Sequence, residues 1–192
     1  MRKVFLLLLL PILSFAQEDN EKIAKGELKS NLFDLVVGKS VNVGYEYFLK
    51  GNQSLQLDVT AFDTYSYIDA GYLDENNLVG IQASYNIYFS KSKKHHGFVF
   101  YPFMKYRTGT QVVDDYYYNY NPVSGQYTPS SATFDLSGFE VGFGLGHKWL
   151  FNDKISLGVG SQIGRNLTSD REFTDNYSEI DFKMNITLGV RF

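Results

Sequence analysis

The fold is decided by the sequence IDFKMNITLGVRF, which occupies residues 180–192. Apolar residues stand at every even position and polar or small residues at every odd position; the apolar set is Ile180, Phe182, Met184, Ile186, Leu188, Val190 and Phe192. A period of two predicts a β-strand with one apolar and one polar face. At about 3.3 Å per residue the strand is ~43 Å long, so it crosses the hydrocarbon layer of a membrane even at a tilt of roughly 40°.

The N-terminus has the pattern of a secretory signal. Arg2 and Lys3 precede an apolar run over residues 4–13, and small residues at positions 14 and 16 stand where signal peptidase cuts. No later stretch reaches 18 consecutive apolar residues, so no transmembrane helix is predicted for the mature chain. We expect three parts: 1–16 as signal peptide, 17–26 as a short periplasmic leader, and 27–192 as a barrel.

Composition excludes several classes of protein. Removing Arg2 and Lys3 from the 18 basic residues leaves 16 against 21 acidic residues, a charge of about −5, so nucleic acid is not an expected partner. The chain has no cysteine, which excludes a disulfide framework and a lipid-anchored N-terminus. Its 16 Phe, 15 Tyr and 17 Gly against 4 Pro favour strands and turns. No cofactor is expected.

The same alternation recurs along the chain and predicts eight strands. Successive strands joined by short connections form an antiparallel up-and-down meander, and eight strands close a small barrel. We expect a bulge at Pro102 and another near Ser137-Gly138, because Phe134 and Leu136 have the opposite parity to the strand that follows. The predicted strands are 33–37, 41–49, 55–62, 79–89, 98–108, 139–149, 155–164 and 180–192.

The two faces of these strands differ in volume. The polar face carries many glycines, among them Gly142, Gly144, Gly158 and Gly160, whereas the other face is bulky and apolar. Alternation alone also fits a soluble lipocalin-like barrel with its apolar face inward. Because an eight-stranded interior only just holds side chains, we place the small face inside and the apolar face against lipid, which predicts a transmembrane barrel in the outer membrane. A diffusion porin needs roughly 16 strands and is not expected.

Connection lengths and aromatic residues predict the orientation. The connections after strands two, four and six are shorter than those after three, five and seven, as expected if the N-terminus is periplasmic and the long connections are extracellular. The first connection, at residues 38–40, is short but would be extracellular. Aromatic residues gather near strand ends, as in interfacial girdles; these are Tyr47, Phe89, Phe98, Trp149 and Phe192 at one rim and Tyr65, Tyr67 and Tyr106 at the other.

Four stretches carry a resemblance to a known family. KSNLFDL at 29–35, GYEY at 44–47, GNQSL at 51–55 and NITLGVRF at 185–192 resemble small outer-membrane barrel proteins of Bacteroidota-type bacteria, which have an OmpA- and OmpX-like architecture. The last stretch is also similar to the C-terminal signal that the outer-membrane assembly machinery reads. The resemblance implies that machinery as a partner, and it carries no catalytic residue because the family has no assigned activity.

Charged residues on the inward face predict two layers inside the lumen. Isolated charges in a narrow barrel are costly, so we expect them to pair: Lys105 or Arg107 with Glu140, and Asp34 with Lys183. Glu46 and Asp58 share a face on adjacent strands and need a cation, for which Lys148 is the candidate. The network is either a structural plug or a gate, and the gate would make the protein a narrow channel for ions or small solutes. The outer layer is Asp34, Lys105, Arg107, Glu140, Asp181 and Lys183, and the inner layer is Glu46, Asp58, Lys148 and Arg191.

The longest irregular stretch, residues 109–133, is rich in tyrosine and has a predicted hairpin tip at 121–125. Tyrosines combine contact area with a hydroxyl group and are common in recognition surfaces, so an extracellular protein or glycan is a candidate partner. The alternative is a solvated rim among lipopolysaccharide sugars. The candidate binding residues are Asp114, Asp115, Tyr116, Tyr117, Tyr118, Tyr120 and Tyr127.

The three histidines invite a comparison with lipid A-modifying barrel enzymes. His95 and His96 lie in a lysine-rich turn, where a surface touching lipid head groups is the simpler interpretation than a metal site. His147 is predicted to face lipid near Trp149, without the serine motif of those enzymes. We therefore expect no enzyme, and predict a small integral outer-membrane protein with a structural or surface-interaction role.

Overall fold

The structure is a computed structural model that describes residues 24–64, 73–91, 94–122, 124–168 and 179–192. Within these ranges the chain forms strands and one short helix. No helix among the described residues is long and apolar enough to cross a membrane. The elements are β1 (Gly26–Asn31), α1 (Leu32–Val36), β2 (Val41–Phe48), β3 (Gln53–Ala61), β4 (Leu73–Asn76), β5 (Val79–Phe89), β6 (Gly97–Thr108), β7 (Thr110–Asn121), β8 (Gln126–Asp135), β9 (Gly138–Phe151), β10 (Ile155–Asn166) and β11 (Ile180–Arg191).

Eight of the strands form a closed antiparallel barrel. Around the barrel the order is β1, β2, β3, β5, β6, β9, β10 and β11, and β11 pairs with β1 to close it. The closing pair runs in register from Glu27↔Arg191 to Asn31↔Thr187. The predicted eight-stranded up-and-down barrel is therefore confirmed, with the 180–192 stretch as its closing strand.

The first predicted strand is wrong. Residues 33–37 lie largely in helix α1, and the first barrel strand is β1, which begins at Gly26, the last residue of the predicted leader. The Asn31 side chain caps the helix by accepting a hydrogen bond from the Phe33 N–H at 3.1 Å, and Asp34 stands in the first turn. Asparagine caps and acidic first-turn residues favour helix starts, and a three-residue apolar alternation is too short to outweigh them.

The apolar face of the barrel points outward, as predicted. Val43, Leu57, Phe143 and Phe182 are each at least half exposed, although they are large apolar side chains. Charged residues of the same strands, such as Glu46, are buried inside the barrel. This inversion of the usual distribution is that of a barrel solvated by lipid, so the chain forms a transmembrane β-barrel.

Both predicted bulges are wrong. The register of β6 against β9 runs without a shift from Gly97↔Lys148 to Arg107↔Gly138, so Pro102 causes no bulge. Pro102 is exposed and has no partner on β5, where its missing N–H costs no hydrogen bond. At Leu136-Ser137 the strand is interrupted, but Leu136 stays on the inner side, where it is buried.

A second sheet continues the barrel. β4, β7 and β8 form a three-stranded sheet, which we call the outer sheet. It extends β5, β6 and β9 across short interruptions, and the predicted hairpin is its β7–β8 pair. Gly109, between β6 and β7, has a φ of +128°, and an added Cβ would lie 2.6 Å from the carbonyl oxygen of Asn77. A small apolar core lies beneath the outer sheet; it contains Leu78, Ala132, Phe134 and Leu136.

The two ends of the barrel differ in their connections. At the end that we call the short-turn end, residues 49–52, 90–96 and 152–154 join the strands. At the opposite end, which we call the long-loop end, the connections 62–78, 109–137 and 167–179 are longer, as predicted. The segment with α1, residues 32–40, also lies there, so the first connection is longer than the predicted 38–40 turn.

Candidate functional site

The lumen is filled by two clusters of charged side chains with a polar chamber between them. The cluster at the short-turn end contains Glu27, Lys29, Glu46, Lys148 and Arg191. The cluster at the long-loop end contains Asp63, Lys105, Arg107, Glu140, Asp181 and Lys183. All of these side chains are buried except that of Lys29, which is 9% exposed, so the lumen is closed by ion pairs at both ends.

Glu46 is the central acceptor of the short-turn cluster. It lies on the inner face of β2 and is 0% exposed. Its Oε2 accepts from Lys29 Nζ and Lys148 Nζ, each at 2.8 Å. Its Oε1 accepts from the Ser54 hydroxyl at 2.5 Å and the Tyr88 hydroxyl at 2.6 Å. Both carboxylate oxygens are thus satisfied by two donors each, which is what a buried carboxylate needs.

Glu27 links the first and last barrel strands, β1 and β11, within the same cluster. Its Oε2 accepts from Arg191 Nε at 2.9 Å and Lys148 Nζ at 3.1 Å, and its Oε1 accepts from the Ser156 hydroxyl at 2.7 Å. Glu27 is on β1 and Arg191 is on β11, so this ion pair spans the closing seam of the barrel.

Residues 94–96 lie over the short-turn mouth. The His95 ring stacks on Phe48 with centroids 4.5 Å apart, and its Nε2 lies 3.0 Å from the Leu49 carbonyl oxygen. Arg191 donates to the carbonyl oxygens of Lys94 and His95, each at 2.7 Å. Burial lowers the pKa of His95, although the hydrogen bond at Leu49 acts in the opposite direction. The neutral imidazole is therefore the form that the folded turn favours.

Asp63 is the central acceptor of the long-loop cluster. Its Oδ2 lies 2.5 Å from Lys105 Nζ and 2.8 Å from Arg107 Nε, and its Oδ1 lies 2.5 Å from Lys183 Nζ. Asp63 belongs to the connection after β3 and not to a membrane-spanning strand. Burial would raise the pKa of its carboxyl group, but Arg107, Lys105 and Lys183 hold that pKa well below its usual range.

Arg107 joins Asp63 to two further carboxylates. Its NH2 group lies 2.8 Å from Asp181 Oδ2 and 3.7 Å from Glu140 Oε2. Among the described residues, Glu140 Oε2 and Asp181 Oδ1 have no hydrogen-bond partner. Arg107 therefore contacts all three acids of the cluster, with its closest contacts to Asp63 and Asp181.

The chamber between the clusters is a cavity of about 100 Å³, which has room for several water molecules. Gln82 and Gln162 cross it with reciprocal amide hydrogen bonds of 3.3 and 3.0 Å. Asp58 accepts from Gln56 Nε2 at 2.6 Å and has no ion pair among the described residues. The polar lining includes Asn42, Gln56, Asp58, Thr60, Gln82, Asn86, Tyr101, Gln162, Asn185 and Thr187.

The predicted lumen residues are all buried, but their partners differ in part from the predicted pairs. The structure brings Arg107 to Glu140 and Lys148 to Glu46. Lys183 contacts Asp63, which the sequence did not indicate, and its predicted pairing with Asp34 stays a prediction. Asp34 comes from α1 and not from a strand, and it lines the chamber. Asp58, predicted to share Lys148 with Glu46, also lies at the chamber.

Sequence reasoning missed three charged residues of the clusters. Glu27 and Lys29 flank the apolar Leu28 in β1, and this short alternation was the only available signal. Asp63 lies in an irregular connection, where no periodicity assigns a side chain to the lumen. Its position two residues after Ala61, the end of β3, was a weak indication that it could reach a lumen mouth.

The tyrosine-rich segment forms the distal part of the outer sheet. Residues 114–118 belong to β7, and their side chains lie outside the described part of the structure. Tyr120 and Tyr127 are paired across the hairpin with ring centroids 5.1 Å apart, and they are 57% and 67% exposed. An exposed aromatic pair therefore stands at the end of the sheet farthest from the barrel.

The histidines lie in different parts of the barrel. His147 is exposed on the outer face, 4.5 Å from the Trp149 ring between centroids, whereas His95 packs at the short-turn mouth. No group of three or more His, Cys, Asp or Glu residues in the described ranges could hold a metal ion.

Strand order, outward apolar residues and a charged lumen define the class of this protein as an eight-stranded transmembrane β-barrel. No protein-family model and no curated protein sequence matches the chain. The N-terminal β-barrel domain of Pseudomonas aeruginosa OprF is similar in structure, with 14% identity and a TM-score of 0.46, over 87% of this chain and 95% of that one. Neisserial surface protein A (NspA) is similar with 13% identity and a TM-score of 0.41, over 86% and 91%.

Proposed function

We propose that this chain is an integral outer-membrane protein that holds the outer sheet at the cell surface, where the sheet contacts an extracellular protein or glycan. The observation that carries the proposal is the continuation of β6 and β9 into the β7–β8 hairpin, which lifts exposed side chains away from the barrel. A barrel strand that continues into a projecting sheet gives that sheet a rigid base. Rigid presentation lowers the entropy cost of binding a partner.

Four features support an outer-membrane location with the outer sheet outside the cell. The barrel has an even number of strands, its described ends meet at one mouth, and its connections are short there and long at the opposite mouth. Outer-membrane barrels have short periplasmic turns and longer extracellular loops. The signal-like residues 1–16 agree with export.

The closed lumen favours a surface role over diffusion through the barrel. Both clusters consist of buried, mutually paired charges, and an open aqueous path would have to separate them. Removing one member of a buried ion pair costs about 3 to 5 kcal/mol, so such a path is strongly disfavoured at rest.

The proposal is tested by shortening the hairpin without touching the barrel. Val113 pairs with Ala132, so replacing residues 114–131 by Asn-Gly leaves a two-residue hairpin of the type I′ geometry. We expect the variant to insert normally, with heat-modifiable gel mobility. Cells carrying it should lose adhesion to the immobilised glycans and matrix proteins that the wild type binds.

A second variant tests the contribution of the aromatic pair while leaving the outer sheet intact. The double substitution Tyr120→Ser and Tyr127→Ser should reduce adhesion several-fold. Thr128→Ala, next to Tyr127 on β8, should not reduce adhesion. Full adhesion of cells with the shortened hairpin would contradict the proposal. That result would favour a solvated rim among lipopolysaccharide sugars.

One observation favours a second function, a narrow gated channel for ions or small solutes. The chamber is already polar and has a volume of about 100 Å³. If the charged side chains of the two clusters changed partners, the chamber would connect to both sides of the membrane. Conductance measurements distinguish this function from a surface role.

A further inference from the structure

Asp63 differs from the lumen acids on the barrel strands because it comes from a connection. It lies two residues beyond Ala61, the last residue of β3, and its backbone N–H donates to the Leu78 carbonyl oxygen at 3.0 Å. Phe62, which precedes it, has a φ of +57°, a conformation that costs an aromatic residue energy. The chain is therefore turned inward at a cost, and the contacts of the Asp63 carboxylate compensate for it.

Those contacts are three cations that belong to the barrel wall. Lys105 and Arg107 stand on the inner face of β6, and Lys183 stands on β11. Their nitrogen atoms lie 2.5, 2.8 and 2.5 Å from the carboxylate oxygens of Asp63. Among the described residues, Lys105 has no other ion-pair partner. Three donors held by two strands thus converge on one carboxylate that a connection supplies.

The strand next to β6 leaves space for that carboxylate. Gly80 on β5 faces the cluster, and a Cβ added there would lie 2.7 Å from Asp63 Oδ2 and 3.0 Å from Lys105 Cε. Asp63 itself is 0% exposed. The barrel therefore forms a cationic recess of the size of one carboxylate group.

We propose that the long-loop mouth is an anion-binding site, built by Lys105, Arg107 and Lys183, and that Asp63 is its built-in occupant. A small carboxylate from solution takes the same position when the Asp63 carboxylate is removed. Without Asp63, Lys105, Arg107 and Lys183 lose the carboxylate on which all three converge, while Arg107 keeps its contacts with Glu140 and Asp181. Charge-assisted hydrogen bonds from three donors then favour an anion that fits.

Chemical rescue of an Asp63→Ala variant tests the site. Alanine keeps the Cβ and removes one carboxylate, so formate has the size of the missing group. The full chain is purified in detergent, and urea unfolding is followed by the fluorescence of its single tryptophan, Trp149. We expect the urea midpoint of Asp63→Ala to be well above its value in equimolar sodium gluconate when sodium formate is present. Gluconate is too large for the recess. The wild type should respond equally to both salts.

Two variants make the result specific. Asp153→Ala removes an exposed carboxylate that pairs with Lys94 at 3.0 Å outside the lumen, and it should respond equally to both salts. In Asp63→Ala combined with Lys105→Ala, half-maximal rescue should need about tenfold more formate, because one charged donor is lost.

The proposal is overturned if formate and gluconate act equally on Asp63→Ala, or if removing Lys105 leaves the rescue unchanged. If Asp63→Ala does not fold in gluconate, the refolding yields in formate and in gluconate are compared instead of the midpoints. A higher yield in formate supports the proposal, and equal yields overturn it. The inference is independent of the surface role of the outer sheet, since adhesion and formate rescue are measured on different parts of the molecule.

Discussion

Replacing Glu46 with glutamine removes the charge at the centre of the short-turn cluster while keeping the size of the side chain. The carboxylate accepts hydrogen bonds from Lys29, Lys148, Ser54 and Tyr88. A glutamine amide has one oxygen acceptor, and its NH2 group is a donor that would face lysine ammonium groups. Glu46→Gln therefore leaves buried cations without sufficient acceptors.

The size of the effect follows from the pairing. After the substitution, Lys148 and Arg191 share the Glu27 carboxylate, and Lys29 loses its ion-pair partner in the cluster. Removing one partner of a buried ion pair costs about 3 to 5 kcal/mol. With a urea dependence of about 2 kcal/mol per molar, the unfolding midpoint should fall by roughly 1.5 to 2.5 M.

The assay is urea unfolding of the protein in lipid vesicles, followed through the fluorescence of Trp149, which faces lipid. Glu179→Gln is the matched control, because Glu179 pairs with Arg165 at 2.9 Å on the surface, with side chains 43% and 68% exposed. An exposed pair contributes below about 1 kcal/mol, which is less than roughly 0.5 M in urea. A Glu46→Gln midpoint as close to wild type as that of Glu179→Gln would refute the reasoning.

Two further predictions concern the same end of the barrel. If the lumen acts as a gate, Lys148→Ala should raise single-channel conductance in planar bilayers, because it removes the cation shared by Glu27 and Glu46, whereas Lys94→Ala on the surface should not; unchanged conductance would exclude the gate. His95 has a folded-state pKa below its ordinary value of 6.5, so its contribution to stability is present above that pH and is lost as the pH falls through the lowered value. Unfolding free energies measured between pH 7 and pH 5 should therefore fall less steeply for His95→Gln than for wild type, and equal slopes would show that the stacked ring does not contribute.

The period-two pattern predicted most of the barrel because lipid and lumen impose opposite demands on successive residues. In the 79–89 segment the predicted strand and β5 have the same bounds. β1 was missed because only Leu28 provides an apolar outward residue, while Ser30 uses its hydroxyl to donate to the Asn42 carbonyl oxygen at 2.7 Å. A strand held mainly by backbone pairing and lumen charges has little hydrophobic signature.

The lumen was predictable in composition but not in its partners. Parity assigned Lys105, Lys148 and Asp181 to the inside, and all three are buried. Parity does not say which side chains meet across a barrel, because that depends on shear and on the length of each side chain. Asp63 could not be assigned by any period, since it reaches the lumen from an irregular connection.

The ion pairs across the closing seam have a consequence for how the barrel forms. Glu27 contacts Lys148 and Arg191, which are 121 and 164 residues away in the chain. Contacts of such long sequence separation appear only after β1 and β11 have met, so they are absent from partly assembled intermediates. Interactions that form after the transition state chiefly slow unfolding. The short-turn cluster therefore slows the unfolding of a barrel that has closed in the membrane, and it does not speed the assembly of that barrel.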